Sequence, residues 1–164
     1  MNFHLRDADT TLRLFLTTFL VVMTMGYAVG LFFVEHQTSF TSAGVQEQFV
    51  GNETTEIAPE ARYAKSANEM FVFMHNHILS LTLVFFIVGG MFYFSSIVSD
   101  KVKRFLIVEP IVAIITTFGG IALVRYLSPY FSWLVIVSGA SLFICYGIMV
   151  LLMLKELWLS QPEL

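Results

Sequence analysis

The side chains best suited to chemistry sit where apolar runs begin and end. His75-Asn76-His77 follows Glu69 at the mouth of a long apolar run, and His36 comes after the preceding run, directly behind Glu35. Ionisable groups at the edge of a membrane span are costly and tend to mark ion, proton or cofactor sites. Two imidazoles at one depth on neighbouring helices are what a b-type haem needs for bis-histidine axial ligation. Here His36 with His75, or failing that His77, supplies the pair. Arg125 closes a third apolar run, where its guanidinium is suited to the haem propionates. The same end of the chain also offers a ligand set for copper, zinc or iron: His36, Glu35, Glu69 and one of His75 and His77. A third reading assigns no cofactor. The histidines then hydrogen-bond neighbouring segments, Glu35, Glu69 and Arg125 form an ion-pair network, and the chain is an accessory or assembly subunit of a larger membrane complex.

The elements that position these groups are membrane spans. Hydrophobic residues make up 57% of the 164-residue chain and charged residues 13%, which excludes an ordinary soluble domain. Apolar runs at about 14–34, 70–99, 105–124 and 131–154 are long enough to cross a bilayer. The fold class is therefore an all-α integral membrane bundle of four spans in one domain. An outer cap segment, 35–68, is the sizeable polar stretch. The first run follows two arginines, as a signal peptide would, but it is about 21 residues long and lacks a small-x-small cleavage site, so it reads as a retained span.

Ser66-Ala-Asn-Glu69 fits a capping box and starts the second helix near Ala67, making His75 and His77 helical. Helical residues are about 100° apart, so these two rings point about 200° from each other and cannot share one ion. Gly89 lies about 40° from His75, and if that glycine marks close packing, His75 faces inward. A helix over 70–99 would be about 45 Å long against a hydrocarbon core of about 30 Å, so part of it tilts or lies in the interface. Gly26-Tyr-Ala-Val-Gly30 is a GxxxG pattern that lets another helix approach, and Gly89-Gly90 permits close packing. In the cap, Val45 and Phe49 are spaced for a short amphipathic helix that Gly51-Asn52 ends, and Pro59 opens another short turn. Glu109-Pro110 reads as the start of the third helix, where proline and an acidic group are both favoured. The competing reading is a proton or quinone-site carboxylate. Cys145 reads as a small packing residue and His4 as part of a solvated tail.

Basic residues set the orientation. Arg6, Arg13, Lys101, Lys103, Arg104 and Lys155 fall at one end of a four-span bundle, and Arg62, Lys65 and Arg125 at the other. The positive-inside rule then places both termini in the cytoplasm, in a bacterial inner membrane, with the histidines outside. Tyr126, Tyr130 and Trp133 form an interfacial aromatic belt. The net charge of −3 points to no nucleic-acid partner. The lone Cys145 excludes an intrachain disulfide and a CxxCH haem attachment. No Walker loop, GxSxG, HExxH or dinucleotide fingerprint occurs, which argues against an enzyme acting alone.

The layout resembles the membrane anchors of respiratory dehydrogenases and the small b-type cytochrome bundles. The resemblance is one of architecture, with no motif that transfers residue by residue. It implies a haem b electron-transfer subunit working with other membrane or periplasmic redox subunits. In those bundles the paired histidines lie well inside the helices, whereas His36 sits at a helix exit.

Overall fold

The computed structural model describes residues 3–52 and 62–159. Pro59 and its expected turn lie outside them, as do Glu53, Glu56 and Glu60. The described residues form five α-helices: α1 (Thr10–Thr38), α2 (Ser42–Val50), α3 (Ala67–Tyr93), α4 (Asp100–Tyr126) and α5 (Ser132–Leu159). All but α2 are long and apolar enough to cross a membrane. The four-span bundle is thus the observed architecture, with α2 capping one end. The start of α1 and the end of α5 share the opposite end, tied by the Trp158 indole donating to Thr17 Oγ1 at 2.9 Å.

Helix boundaries follow from caps as much as from hydropathy. Asp9 accepts from Leu12 N at 2.8 Å, so α1 begins on the polar Thr10 rather than at Leu14. His4 is half-buried at the cap of a short 3-10 turn, Leu5–Asp7, and is not a solvated tail residue. Leu5 behind it is buried, and its N–H donates to the Phe94 carbonyl. The capping box before α3 forms as expected: Ser66 Oγ accepts from Glu69 N at 3.3 Å, and Glu69 Oε2 accepts from Ser66 N at 2.8 Å. The second span is shorter than its apolar run. α3 stops at Tyr93 because Ser95 and Ser96 leave the helix to bind Glu156 on α5.

The third span begins earlier than expected. α4 starts at Asp100, after Ser99, so Glu109 and Pro110 lie inside it. The helix-start reading of Glu109-Pro110 is therefore corrected: the polar Lys101-Val-Lys103-Arg104 stretch is already helical. Pro110 has no N–H to return to the Leu106 carbonyl, which leaves a gap in the backbone ladder beside Glu109.

Packing among the long helices is uneven. α4 and α5 form the most extensive pair, α3 lies on both, and α1 rests on α5 and α2. Lipid removes the hydrophobic drive between helices, so close approach and interhelical hydrogen bonds decide which pairs hold. Between α4 and α5 both occur. A Cβ at Gly120 would lie 3.0 Å from Val135 Cγ2, and Thr117 Oγ1 donates to Ser138 Oγ at 2.7 Å. A Cβ at Gly89 would lie 3.4 Å from Ile107 Cγ2 of α4, while one at Gly90 would meet open space. A Cβ added at either GxxxG glycine, Gly26 or Gly30, would meet nothing within 4 Å, so among the described residues no helix uses that face. Within α1, Leu20 and Thr38 are the buried residues.

α2 closes one end of the bundle. Thr41 Oγ1 accepts from Gly44 N at 3.0 Å, Val45 and Phe49 are buried as their spacing predicts, and Gly51 ends the helix at a φ of 91°. Ser42 Oγ and Ser132 Oγ, 2.6 Å apart, join α2 to the start of α5.

Candidate functional site

Among the described residues the expected histidine site is not assembled. His77 lies at the α3–α4 contact, its ring 4.3 Å from that of Phe73 and 5.8 Å from that of Phe118. Its Nδ1 is 2.9 Å from the Phe73 carbonyl oxygen. A carbonyl only accepts, so Nδ1 carries the hydrogen and Nε2 presents its lone pair. Both histidines are exposed, and His75, about 200° round the helix, points away from this contact. The histidine in contact with a second helix is thus His77, at the rim of the bundle, and not His75. The centre of the buried stripe is marked by Phe85, Val88 and Phe92, with Gly89 at its margin. A further 40° or so from that margin takes His75 out of the stripe.

His36 is exposed on the last turn of α1. It lines an open groove of about 530 Å³ with Phe32, Glu35 and Ser39, all from α1 and its cap. Among the described residues nothing joins His36 to His75 or His77. Arg125 is committed elsewhere: its Nε donates to the Lys65 carbonyl at 2.8 Å, and its guanidinium lies 5.3 Å from the centre of the Tyr126 ring. It ties the segment entering α3 to the end of α4. Glu69 is held by Ser66, so the expected network of Glu35, Glu69 and Arg125 does not form. No group of three His, Cys, Asp or Glu side chains converges to hold a metal ion among the described residues. The ligand set His36, Glu35, Glu69 and His75 or His77 is therefore split between α1 and α3, which meet lower in the bundle at Tyr27 and Phe85, while α1 packs mainly on α2 and α5.

Three polar contacts inside the bundle were not foreseen. Glu109 of α4 accepts from Ser141 Oγ, and Cys145 Sγ donates to its other carboxylate oxygen at 3.1 Å. Cys145 is buried as expected, but it is a hydrogen-bond donor as well as a packing residue. Ser141 and Cys145 are one turn apart on α5, the spacing that puts both on one helix face. That spacing, opposite a carboxylate in an apolar run, was the available signal. Glu156 gathers Ser95 and Ser96 from the α3–α4 link. Its place beside Lys155 gave no hint of burial. Thr24 Oγ1 and Tyr146 OH are 3.1 Å apart, and Tyr27 stacks on Tyr146 at 4.2 Å, which fastens α1 to α5.

Four apolar spans under a short polar cap define a multi-pass helical membrane domain. The chain belongs to the Aq_1264_TM family, described as a transmembrane helical domain, whose model matches residues 39–164. The match begins at the turn after α1 and takes in α2 to α5. No curated protein and no solved structure matches the chain.

Proposed function

We propose that the protein is a membrane-embedded accessory subunit of a larger membrane complex. The observation that carries this reading is the exposure of His75 and Asn76 on the outside of α3. A helix of 27 residues is about 40 Å long against a core of about 30 Å. If α3 is centred in the bilayer, His75 is about 7 Å below the edge of the hydrocarbon. Polar side chains are costly there unless a neighbour pairs with them. The open Gly26–Gly30 face of α1 is a second surface on which another helix fits closely. The distribution of Lys and Arg supports both termini being cytoplasmic in a bacterial inner membrane, with α2 outside.

Mild-detergent purification of a tagged chain from native membranes is expected to recover other membrane subunits at a fixed stoichiometry. His75→Leu with Gly26→Leu should reduce that recovery several-fold while leaving the bundle folded. A chain that elutes as a lone monomer from the same membranes would overturn the proposal.

A second reading, a b-type haem electron-transfer subunit with membrane or periplasmic redox partners, is favoured by His77. Metal-ligating histidines usually donate their other ring N–H to a carbonyl or carboxylate, which fixes tautomer and ring angle. His77 has that arrangement, with Nε2 left to bind. Since His36 is not brought to it, the second axial ligand would come from a partner subunit. Protein purified with its partners and reduced with dithionite is expected to show a sharp α-band that His77→Ala removes and His75→Ala keeps. No Soret band from a haem-replete host would exclude this reading and leave the accessory one standing.

A further inference from the structure

We propose that Glu109 is an intramembrane proton-binding carboxylate, reached sideways from the lipid at the seam between α4 and α5. Glu109 lies about 14 Å along α4 from Asp100, well within the apolar part of the span. It is half-buried. Its chain neighbours Val108 and Val112 on α4, and Ile144 next to Cys145 on α5, are apolar and exposed, by 54%, 56% and 56%. This edge of the site faces hydrocarbon rather than water.

The polar surroundings suit a proton. Both carboxylate oxygens accept from neutral donors, Ser141 Oγ on one side and Cys145 Sγ on the other. No cation is bound to Glu109 among the described residues, and the titratable side chain against it is the Cys145 thiol. An ionised carboxylate in hydrocarbon without a countercharge is costly, and the proton is the cation that removes that cost most simply. The site serves both forms. Towards the carboxylate the Ser141 hydroxyl donates, and towards the acid it turns and accepts, since a hydroxyl does either. Pro110 adds a further acceptor close by, because it leaves the Leu106 carbonyl without its helical N–H. The site is separate from the outer histidines and does not depend on any reading of them.

Dicyclohexylcarbodiimide, a lipid-soluble reagent, tests the proposal on the whole protein in proteoliposomes. The acid proton passes to one carbodiimide nitrogen and the carboxyl oxygen bonds to the central carbon. The resulting O-acylisourea rearranges to a stable N-acylurea that retains the entire reagent, with no leaving group. The expected result is one reagent mass on the Glu109 peptide, lost in Glu109→Gln. A water-soluble carbodiimide with an added amine should leave the same peptide unmodified. Infrared difference spectra of wild type against Glu109→Gln should show a protonated-carboxyl C=O band in the wild type alone. Absence of both the adduct and that band would overturn the proposal, as would equal modification by the water-soluble reagent.

Discussion

Glu156→Ala is expected to destabilise the bundle by about 3–5 kcal/mol, because a charge-assisted hydrogen bond contributes about 1.5–3 kcal/mol and several here share one acceptor group. Glu156 is 1% exposed. It accepts from Ser95 Oγ, and at 2.7 Å from both Ser96 N and Ser96 Oγ. These donors come from the link that must reverse the chain between α3 and α4. Ser95 is fully buried, so deleting its acceptor leaves a hydroxyl without a partner in a dry place. Glu156→Gln retains the shape and one accepting oxygen, but turns an amide towards donors. Its cost should be smaller, about 1–2 kcal/mol. Denaturant titration in detergent micelles, with wild type and both variants side by side, measures the difference. Equal destabilisation by alanine and glutamine would mean that shape rather than hydrogen bonding holds the link.

Gly44→Ala is expected to open the turn between α1 and α2. A Cβ at Gly44 would lie 2.0 Å from the Thr38 carbonyl oxygen and 2.5 Å from its carbon, and both atoms are backbone. The turn has little slack, since Ser39 and Phe40 already sit at positive φ, 48° and 52°. Relief requires α2 to move, which withdraws Val45 and Phe49 from the core and parts Ser42 from Ser132. Full loss of burial for the two apolar side chains would cost about 3–6 kcal/mol. The disturbance should be local. Amide exchange across 42–50 is expected to accelerate strongly while that of α4 and α5 stays slow. Gly26→Ala, with open space at its Cβ, should leave exchange everywhere unchanged. Unchanged protection of 42–50 in Gly44→Ala would show that the turn yields without releasing α2.

The features readable from sequence are local or periodic. Ser66 and Glu69 announced the start of α3, the i and i+4 spacing of Val45 and Phe49 announced α2, and the apolar runs announced four spans. What failed depended on which helices touch. Placing His36 with His75 assumed that consecutive spans pack along their whole length, whereas α1 packs mainly on α2 and α5 and meets α3 at Tyr27 and Phe85. The inward histidine was chosen from one glycine at the margin of a face whose centre lies elsewhere. Glu156 looked like an ordinary charged helix end because its partners sit in a different link. Glu109 was judged by Pro110 beside it, and proline carries opposite meanings at a helix start and inside a membrane helix, where neighbouring segments re-satisfy the backbone.

The shallow seat of α1 has a consequence for biosynthesis. α1 precedes α5 in the chain, and Tyr146, on which Thr24 and Tyr27 dock, is 122 residues beyond Thr24. Until α5 is inserted, α1 must persist in lipid without that attachment, held by α2 and by Tyr27 against Phe85 of α3. Its chemistry suits that interval. Thr24 Oγ1 donates to the Leu20 carbonyl of its own helix at 2.7 Å, so the hydroxyl is satisfied before any partner arrives. When Tyr146 reaches it, the threonine oxygen still has a lone pair with which to accept. The α1–α5 attachment is thus completed only when α5 is in place.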